Sequence, residues 1–264
     1  MISLVQKKFG EAAADYAASA VHAKGESLAR LVALVAPKPS WRVLDVATGA
    51  GHTALAFAPH VAKVTASDIT DQMLAEAKKL AAERGLGNVK TARAKAGDLP
   101  FPDMSFDLVT CRLAAHHFDN PRAFVAEAFR VLMPGGVLAI VDNISPDEPI
   151  LLELADGEAR RQLARAYNEY EKLRDPSHGR CLGLAEWTAL LGDAGFAVAH
   201  SETIDQTIEF GPWAKRMRCA APTVKRLETM LGAEPLRSYL RPRDSDKGLI
   251  FTLQEAIIVA RKPA

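Results

Sequence analysis

From residue 41 onward, short apolar runs alternate with longer amphipathic stretches. The runs "WRVLDVA" (41–47), "KVTASD" (63–68), "NVKTARA" (88–94), "FDLVTCRL" (106–113) and "GVLAIVD" (136–142) are largely continuous rather than alternating. Continuous apolarity predicts strands covered on both faces, as in a parallel sheet. Between them, "TDQMLAEAKKLAAERG" puts Leu74, Ala77 and Ala81 on one helical face, with Thr70 as cap and Gly85 as stop. "DNPRAFVAEAFRVL" is capped by Asn120, opens on Pro121 and turns Phe124, Ala128 and Val131 inward. Strand and helix in strict alternation predict an α/β fold with a Rossmann-like, mostly parallel sheet and helices on both faces.

After Asp142 the rhythm changes. Residues 150–173 read as a long helical segment interrupted near Gly157, and 184–196 as a helix ended by glycine. "AVAHSETI" (197–204) and "EAIIVARK" (255–262) read as two late strands, which brings the sheet to seven. The 264 residues are enough for one large domain. The expected division is a helical lid over 1–37, a ligand-binding core over 38–145, and two insertions, 146–183 and 205–250, forming a helical cap.

Composition narrows the partners. With 33 Lys+Arg against 32 Asp+Glu there is no basic field to attract nucleic acid or a membrane surface. No uncharged apolar stretch reaches the ~18 residues of a membrane span, and the start of the chain lacks the apolar run of a secretory signal. Cys111, Cys181 and Cys219 lie far apart with no C-x-x-C, which argues against a disulfide scaffold and a zinc site. A reducing cytoplasm is the expected location, and no metal is expected.

The chemistry begins at "VLDVATGAGHTALAFA" (43–58). Gly49, Gly51 and Ala54 formally satisfy the dinucleotide pattern, so the turn alone suits either a nicotinamide cofactor or another adenosine compound. A pyrophosphate on this turn would be an awkward neighbour for the carboxylate of Asp45. Asp45 suits a ligand with a cationic end, and Asp68, at the end of the second strand, is placed to accept from ribose hydroxyls under either cofactor.

"LDVATGAGH", "ASDIT..ML..A", "LPFPDMSFDLV" and "RVLMPGGVLAIVD" together resemble the ordered motifs of class I S-adenosylmethionine-dependent methyltransferases. Within these the likeness is to the branch containing the ubiquinone and menaquinone methyltransferases, and it covers roughly residues 38–145. "TCRLAAHHF", "RDPSH", "EW" and "PWAKR" resemble a little-characterised bacterial subgroup. The resemblance implies S-adenosylmethionine as cofactor. Asp45, Gly49 and Gly51 would wrap its methionine part, Asp68 would hold the ribose and Ile69 would pack on the adenine, with Ala47, Thr48, Met73 and Ala96 as further cofactor-binding residues. One departure stands out. The family's acid toward the adenine amino group is replaced by Lys95 in "KAGDLPF", which leaves the contact to neighbouring backbone or to Asp98.

Methyl transfer needs a base only where the acceptor atom loses a proton. His116 and His117, directly after the fourth strand, are the candidates, with packing or capping as their plain alternative. Tyr16, Arg112, Asp175, His178, Arg180, Trp213 and Arg216 are candidates for holding a small-molecule acceptor. Phe9 and Trp187 are further possible walls. Eight Lys/Arg against two Glu between Gly211 and Arg243 suit an anionic acceptor or a solvated face. A homodimer is compatible with the sequence. A nicotinamide-dependent oxidoreductase and a non-catalytic adenosylmethionine-binding protein are the rival readings. A nucleic-acid methyltransferase is disfavoured, since the chain lacks the Asn-Pro-Pro-aromatic motif.

Overall fold

The computed structural model describes residues 3–17, 25–146 and 157–264. Parts of the expected lid (18–24) and cap (147–156) lie outside the described residues, as do the first two positions. The N-terminal part contains α1 (Leu4–Ala17) and α2 (Glu26–Val35). The core runs β1 (Arg42–Val46), α3 (His52–Phe57), β2 (Lys63–Asp68), α4 (Asp71–Glu83), β3 (Val89–Arg93), β4 (Phe106–Arg112), α5 (Pro121–Val131) and β5 (Leu132–Asn143). The remainder runs α6 (Gly157–Arg174), α7 (Leu184–Asp193), β6 (Ala197–Glu209), α8 (Phe210–Arg216), α9 (Ala221–Leu231), α10 (Leu236–Leu240), β7 (Arg243–Ser245) and β8 (Gly248–Arg261).

Among the described residues one sheet forms in the order β3-β2-β1-β4-β5-β8-β6, with β7 flanking β8. β1 to β5 are parallel; β8 runs antiparallel between β5 and β6. Alternate side chains of the central strands enter two different cores. Leu44, Val109, Leu138 and Ile140 pack with Phe124, Val125, Trp187 and Leu191 of α5 and α7. Val43, Leu108, Val137 and Ala139 pack with Leu31, Val35, Ala54 and Phe57 of α2 and α3. This double burial is why the strands read as unbroken apolar runs.

Two expectations change. The late strands are longer than 197–204 and 255–262, because Asp205 to Glu209 pair with Gln254 to Ile250. The 205–250 insertion is therefore a strand hairpin carrying α8 to α10. These helices close a third core with α6, built on Tyr167, Tyr170, Trp213, Leu227 and Phe251. Secondly, among the described residues of the expected lid, α1 lies over the ligand edge, whereas α2 packs on the sheet. The expected break near Gly157 falls at the edge of the described residues, where α6 is first seen. Of the two expected caps, Asn120 accepts from the Ala123 N–H at 3.2 Å, while the Thr70 side chain makes no cap bond.

Candidate active site

The strand order reverses direction between β1 and β4, which places a crevice at the carboxyl ends of the parallel strands. The turn after β1 is drawn over this edge by backbone bonds. Thr48 N–H donates to the Ser67 carbonyl at 2.8 Å, and Gly49 N–H to Asp68 Oδ2 at 2.9 Å. Asp68 Oδ1 accepts from Thr70 N–H at 2.9 Å, so this carboxylate ties two loops together at the cavity wall. Burial raises its pKa, opposed by those backbone donors.

The glycines divide their roles. At Gly49 (φ +54°) a Cβ would meet nothing within 4 Å, so its face is open to a ligand. Gly51 (φ +88°) does not line the cavity; a Cβ there would lie 2.9 Å from Ala77 Cβ, so it lets α3 and α4 approach. Asp45 also departs from its expected place. It lies behind the turn, accepting from Thr110 Oγ1 at 2.6 Å, Thr48 Oγ1 at 2.5 Å and Ala54 N–H at 3.2 Å. Burial pushes its pKa up to about 6 against those bonds. It is a strut for the turn.

A cavity of about 1330 Å³ opens above this edge. Ala47, Thr48, Gly49, Asp68, Ile69, Met73 and Ala96 line one end, with Lys95 and Asp98 beside them. Phe9, Tyr16, Arg112, His117, His178 and Arg180 line the rest. The volume exceeds the ~300–1,000 Å³ that encloses one drug-sized ligand, and so suits a cofactor together with an acceptor. The Gly49 cradle, the buried carboxylate of Asp68 and the apolar Ile69 and Met73 fit a nucleoside with an amino-acid tail. α1 covers part of the opening: Gln6 Nε2 donates to the Ile69 carbonyl at 3.0 Å, and Phe9 lies edge-on to His117, ring centroids 4.9 Å apart.

The two histidines do different things. His116 does not line the cavity. It donates to Asp142 twice, from its N–H at 2.8 Å and from Nδ1 at 2.6 Å. Burial alone would lower its pKa, but the Asp142 carboxylate outweighs this and raises it. His117 lines the cavity, its ring 4.2 Å from that of His116. Its Nδ1 contacts the Ser177 carbonyl at 3.1 Å; a carbonyl only accepts, so Nδ1 carries the proton and Nε2 the lone pair. Burial, and then the charge of His116, push its pKa well down and keep it neutral. Its Nε2 is 3.9 Å from Asp175 Oδ2.

The loop 175–180 is fastened beneath them. Asp175 Oδ1 accepts from Ser177 N–H and Oγ at 2.9 and 2.6 Å. The Gly179 and Arg180 N–H groups both donate to the His116 carbonyl. A Cβ at Gly179 would come within 2.9 Å of that carbonyl, so the approach requires glycine. His178 contacts Asn168 Oδ1 at 3.0 Å through Nε2, and burial holds its pKa far below the usual imidazole range.

Several acceptor-site expectations do not hold. Trp213 is buried, stacked on Tyr170 and covered by the Arg174 guanidinium 4.5 Å from its ring centroid. Trp187 is core. Arg216 lines a separate shallow pocket of about 580 Å³, and Asp175 acts through its loop and His117 rather than at the cavity wall. Arg180 sits at the rim in a forked pair with Glu186. Two participants escaped the sequence: His52, which lines the cavity beside the turn, and Asp142. Each had a signal, a polar residue directly after Gly51 and an acid closing an apolar strand.

Among the described residues no group of His, Cys, Asp or Glu is arranged to hold a metal ion, and no helix is long and apolar enough to cross a membrane. Residues 44–140 match the methyltransferase domain model. The methyltransferase YcgJ of Bacillus subtilis is 37% identical over 84% of this chain and 83% of its own length. A solved methyltransferase structure from Bacillus halodurans superposes with a TM-score of 0.81 at 36% identity, covering 90% of this chain and 99% of that one. The ubiquinone/menaquinone biosynthesis C-methyltransferase UbiE of Shewanella pealeana is 35% identical over 45% of this chain and 49% of its own length. With the strand order and the glycine turn beside them, these likenesses show that the chain belongs to the class I S-adenosylmethionine-dependent methyltransferases.

Proposed function

We propose that this methyltransferase acts on a small molecule whose acceptor atom gives up a proton on reaction, such as a phenol, a hydroxyl or an enol-like ring carbon. The observation that carries this reading is a neutral imidazole, His117, in the same cavity as the cofactor-side turn. When bound, S-adenosylmethionine supplies an electrophilic methyl carbon on a sulfonium. Asp68 would take the ribose hydroxyls, Thr48 to Ala50 would line the methionine end, and Ile69 and Met73 would pack on the adenine. The main contribution of the protein is then alignment and exclusion of water. α1 and the 175–180 loop serve as the lid over the acceptor half.

His117 Nε2 accepts a hydrogen bond from the acceptor and takes its proton as the acceptor atom becomes acidic on methylation, a task for which a weak base suffices. The imidazolium so formed lies 3.9 Å from Asp175, whose carboxylate offsets the positive charge of neighbouring His116. Phe9 and Phe118 offer flat apolar walls that suit a ring-bearing acceptor. The names of UbiE-like relatives, which are C-methyltransferases of quinone biosynthesis, support an electron-rich ring as the first class to assay.

Calorimetry with S-adenosylhomocysteine and with NAD tests the cofactor half. The expected outcome is binding of the first alone, weakened by about 1–3 kcal/mol in Asp68→Ala through loss of a buried charge-assisted bond. Binding of NAD instead, or unchanged affinity in that variant, removes this assignment.

A further inference from the structure

The acceptor half of the cavity carries a second imidazole whose tautomer is fixed by its neighbours. Asn168, on α6, has its side-chain amide pinned at both ends. Its Oδ1 accepts from the Cys181 N–H at 2.8 Å, and its Nδ2 donates to the Ala164 carbonyl at 2.9 Å. A backbone N–H only donates and a carbonyl only accepts, so this amide cannot be turned over. His178 Nε2 lies 3.0 Å from the same Oδ1, so Nε2 carries the proton and Nδ1 the lone pair. Burial, and then the charge of His116, push the pKa of His178 down to about 2 and keep the ring neutral.

His178 Nδ1 makes no hydrogen bond among the described residues, yet it does not belong to the sealed polar atoms that go unmatched there. His178 is 3% exposed and lines the cavity, so the surface this nitrogen keeps is cavity surface. His117 Nε2 is also a lone pair, 3.9 Å from Asp175 Oδ2, and two acceptors make no bond. The two rings stand at 79° to each other with centroids 6.3 Å apart, within reach of one ring-sized molecule. Two lone pairs cannot satisfy each other, and both call for donors.

We infer that His178 determines specificity: its Nδ1 accepts from a second donor on the acceptor molecule, while His117 serves the atom that is methylated. The substrate class narrows to ring compounds bearing two hydroxyl or N–H groups. This rests on the ring-acceptor reading above. A carboxylate or an ether oxygen fits His178 badly, because neither donates. A site built to hydrogen-bond a hydroxyl rejects the analogue that lacks it. Asn168 is the positioning residue, since without its oxygen the His178 ring is free to hold its proton on either nitrogen.

Histidine ¹⁵N spectra of the full chain, saturated with S-adenosylhomocysteine, test the tautomer without any acceptor. The His178 resonances, identified by their absence in His178→Asn, should report a neutral ring with its proton on Nε2. A proton on Nδ1, or a charged ring, overturns the assignment. Asn168→Leu should mix in the other tautomer, and an unchanged ring there removes Asn168 from its positioning role. Calorimetric titration of the same complex with benzene-1,2-diol, benzene-1,4-diol and phenol tests the second donor. Wild type should prefer at least one diol over phenol by about three- to tenfold, the scale of a neutral hydrogen bond. His178→Leu should lose that preference while binding phenol as wild type does. A preference that survives in His178→Leu, or none in wild type, overturns the inference. Wild type that binds none of the three refutes the ring-acceptor reading and the inference with it, a result distinct from a failed tautomer or a failed preference.

Discussion

The two halves of the cavity are built on different principles. The cofactor half draws on two short stretches of chain, residues 45–73 and 95–98, and its carboxylates are anchored by the backbone and hydroxyls around them: Asp45 braces the turn, and Asp68 joins two loops through Gly49 and Thr70. The acceptor half assembles groups from four distant segments, Phe9, His116 and His117, Asp142, and Asn168 to His178. The first is a cradle fixed by backbone geometry. The second is an electrostatic arrangement in which burial, and then the neighbouring His116 on its carboxylate, lowers the pKa of His117. Local chain geometry thus serves a ligand shared by many enzymes, while long-range packing sets the chemistry particular to this one.

The largest effect should come from separating the two histidines. His117→Asn removes the base, and a lost general base typically costs ~10²–10⁴-fold in turnover, while melting temperature and cofactor affinity stay near wild type. His116→Asn strips Asp142 of its buried partner, which should destabilise the fold by about 3–5 kcal/mol. Calorimetric melting and single-turnover assays on the two variants therefore give opposite signatures. If both melt like wild type and turn over like wild type, the acceptor half works by alignment alone.

On the cofactor side, Asp45 should reveal itself through pH. Its folded pKa of about 6 lies above the ordinary 3.8, so the folded state holds the proton more tightly than the unfolded chain does. Its contribution to stability is full below pH ~4 and is lost as pH rises to ~6, by on the order of 3 kcal/mol. Urea unfolding of wild type and Asp45→Asn across that window should show wild type losing ground to the variant by this amount. A constant difference between the two would mean that the turn's hydroxyls hold the carboxylate ionised throughout.

What the sequence disclosed follows the same division. The five parallel strands, the Asn120 cap and the Asp68 position were legible because their signals are local: apolar run length, a capping residue, an acid at a strand end. Trp213 and Arg216 misled because aromatic and basic residues at helical spacing look alike whether they line a pocket or close a core. Here they sit in and beside the third core that α6 builds with the β6–β8 hairpin. Neither hairpin length nor that core has a local signature, since both arise from pairing across about fifty residues. The division of labour between His116 and His117 was equally hidden. It depends on Asp142 and Ser177, which reach the pair only in three dimensions.

The smallest effect is expected at Lys95, where the resemblance implies an acid for the adenine amino group. Lysine has no acceptor, so its side chain cannot receive that hydrogen bond. Lys95 is exposed at the cavity wall, and its own carbonyl already accepts from Asp98 N–H at 3.0 Å, which turns the 95–98 backbone back on itself. That turn brings Asp98 to the same wall. Lys95→Ala should therefore change the affinity for S-adenosylhomocysteine by no more than about 0.5 kcal/mol, the range of an ordinary surface substitution. Asp98→Ala should cost more, on the order of 1 kcal/mol, if its carboxylate has taken over the amine. Calorimetry on the two variants ranks the contacts directly. Loss of affinity in both would show that the turn's shape does the recognising, and loss in Lys95→Ala alone would place the ammonium itself against the ligand.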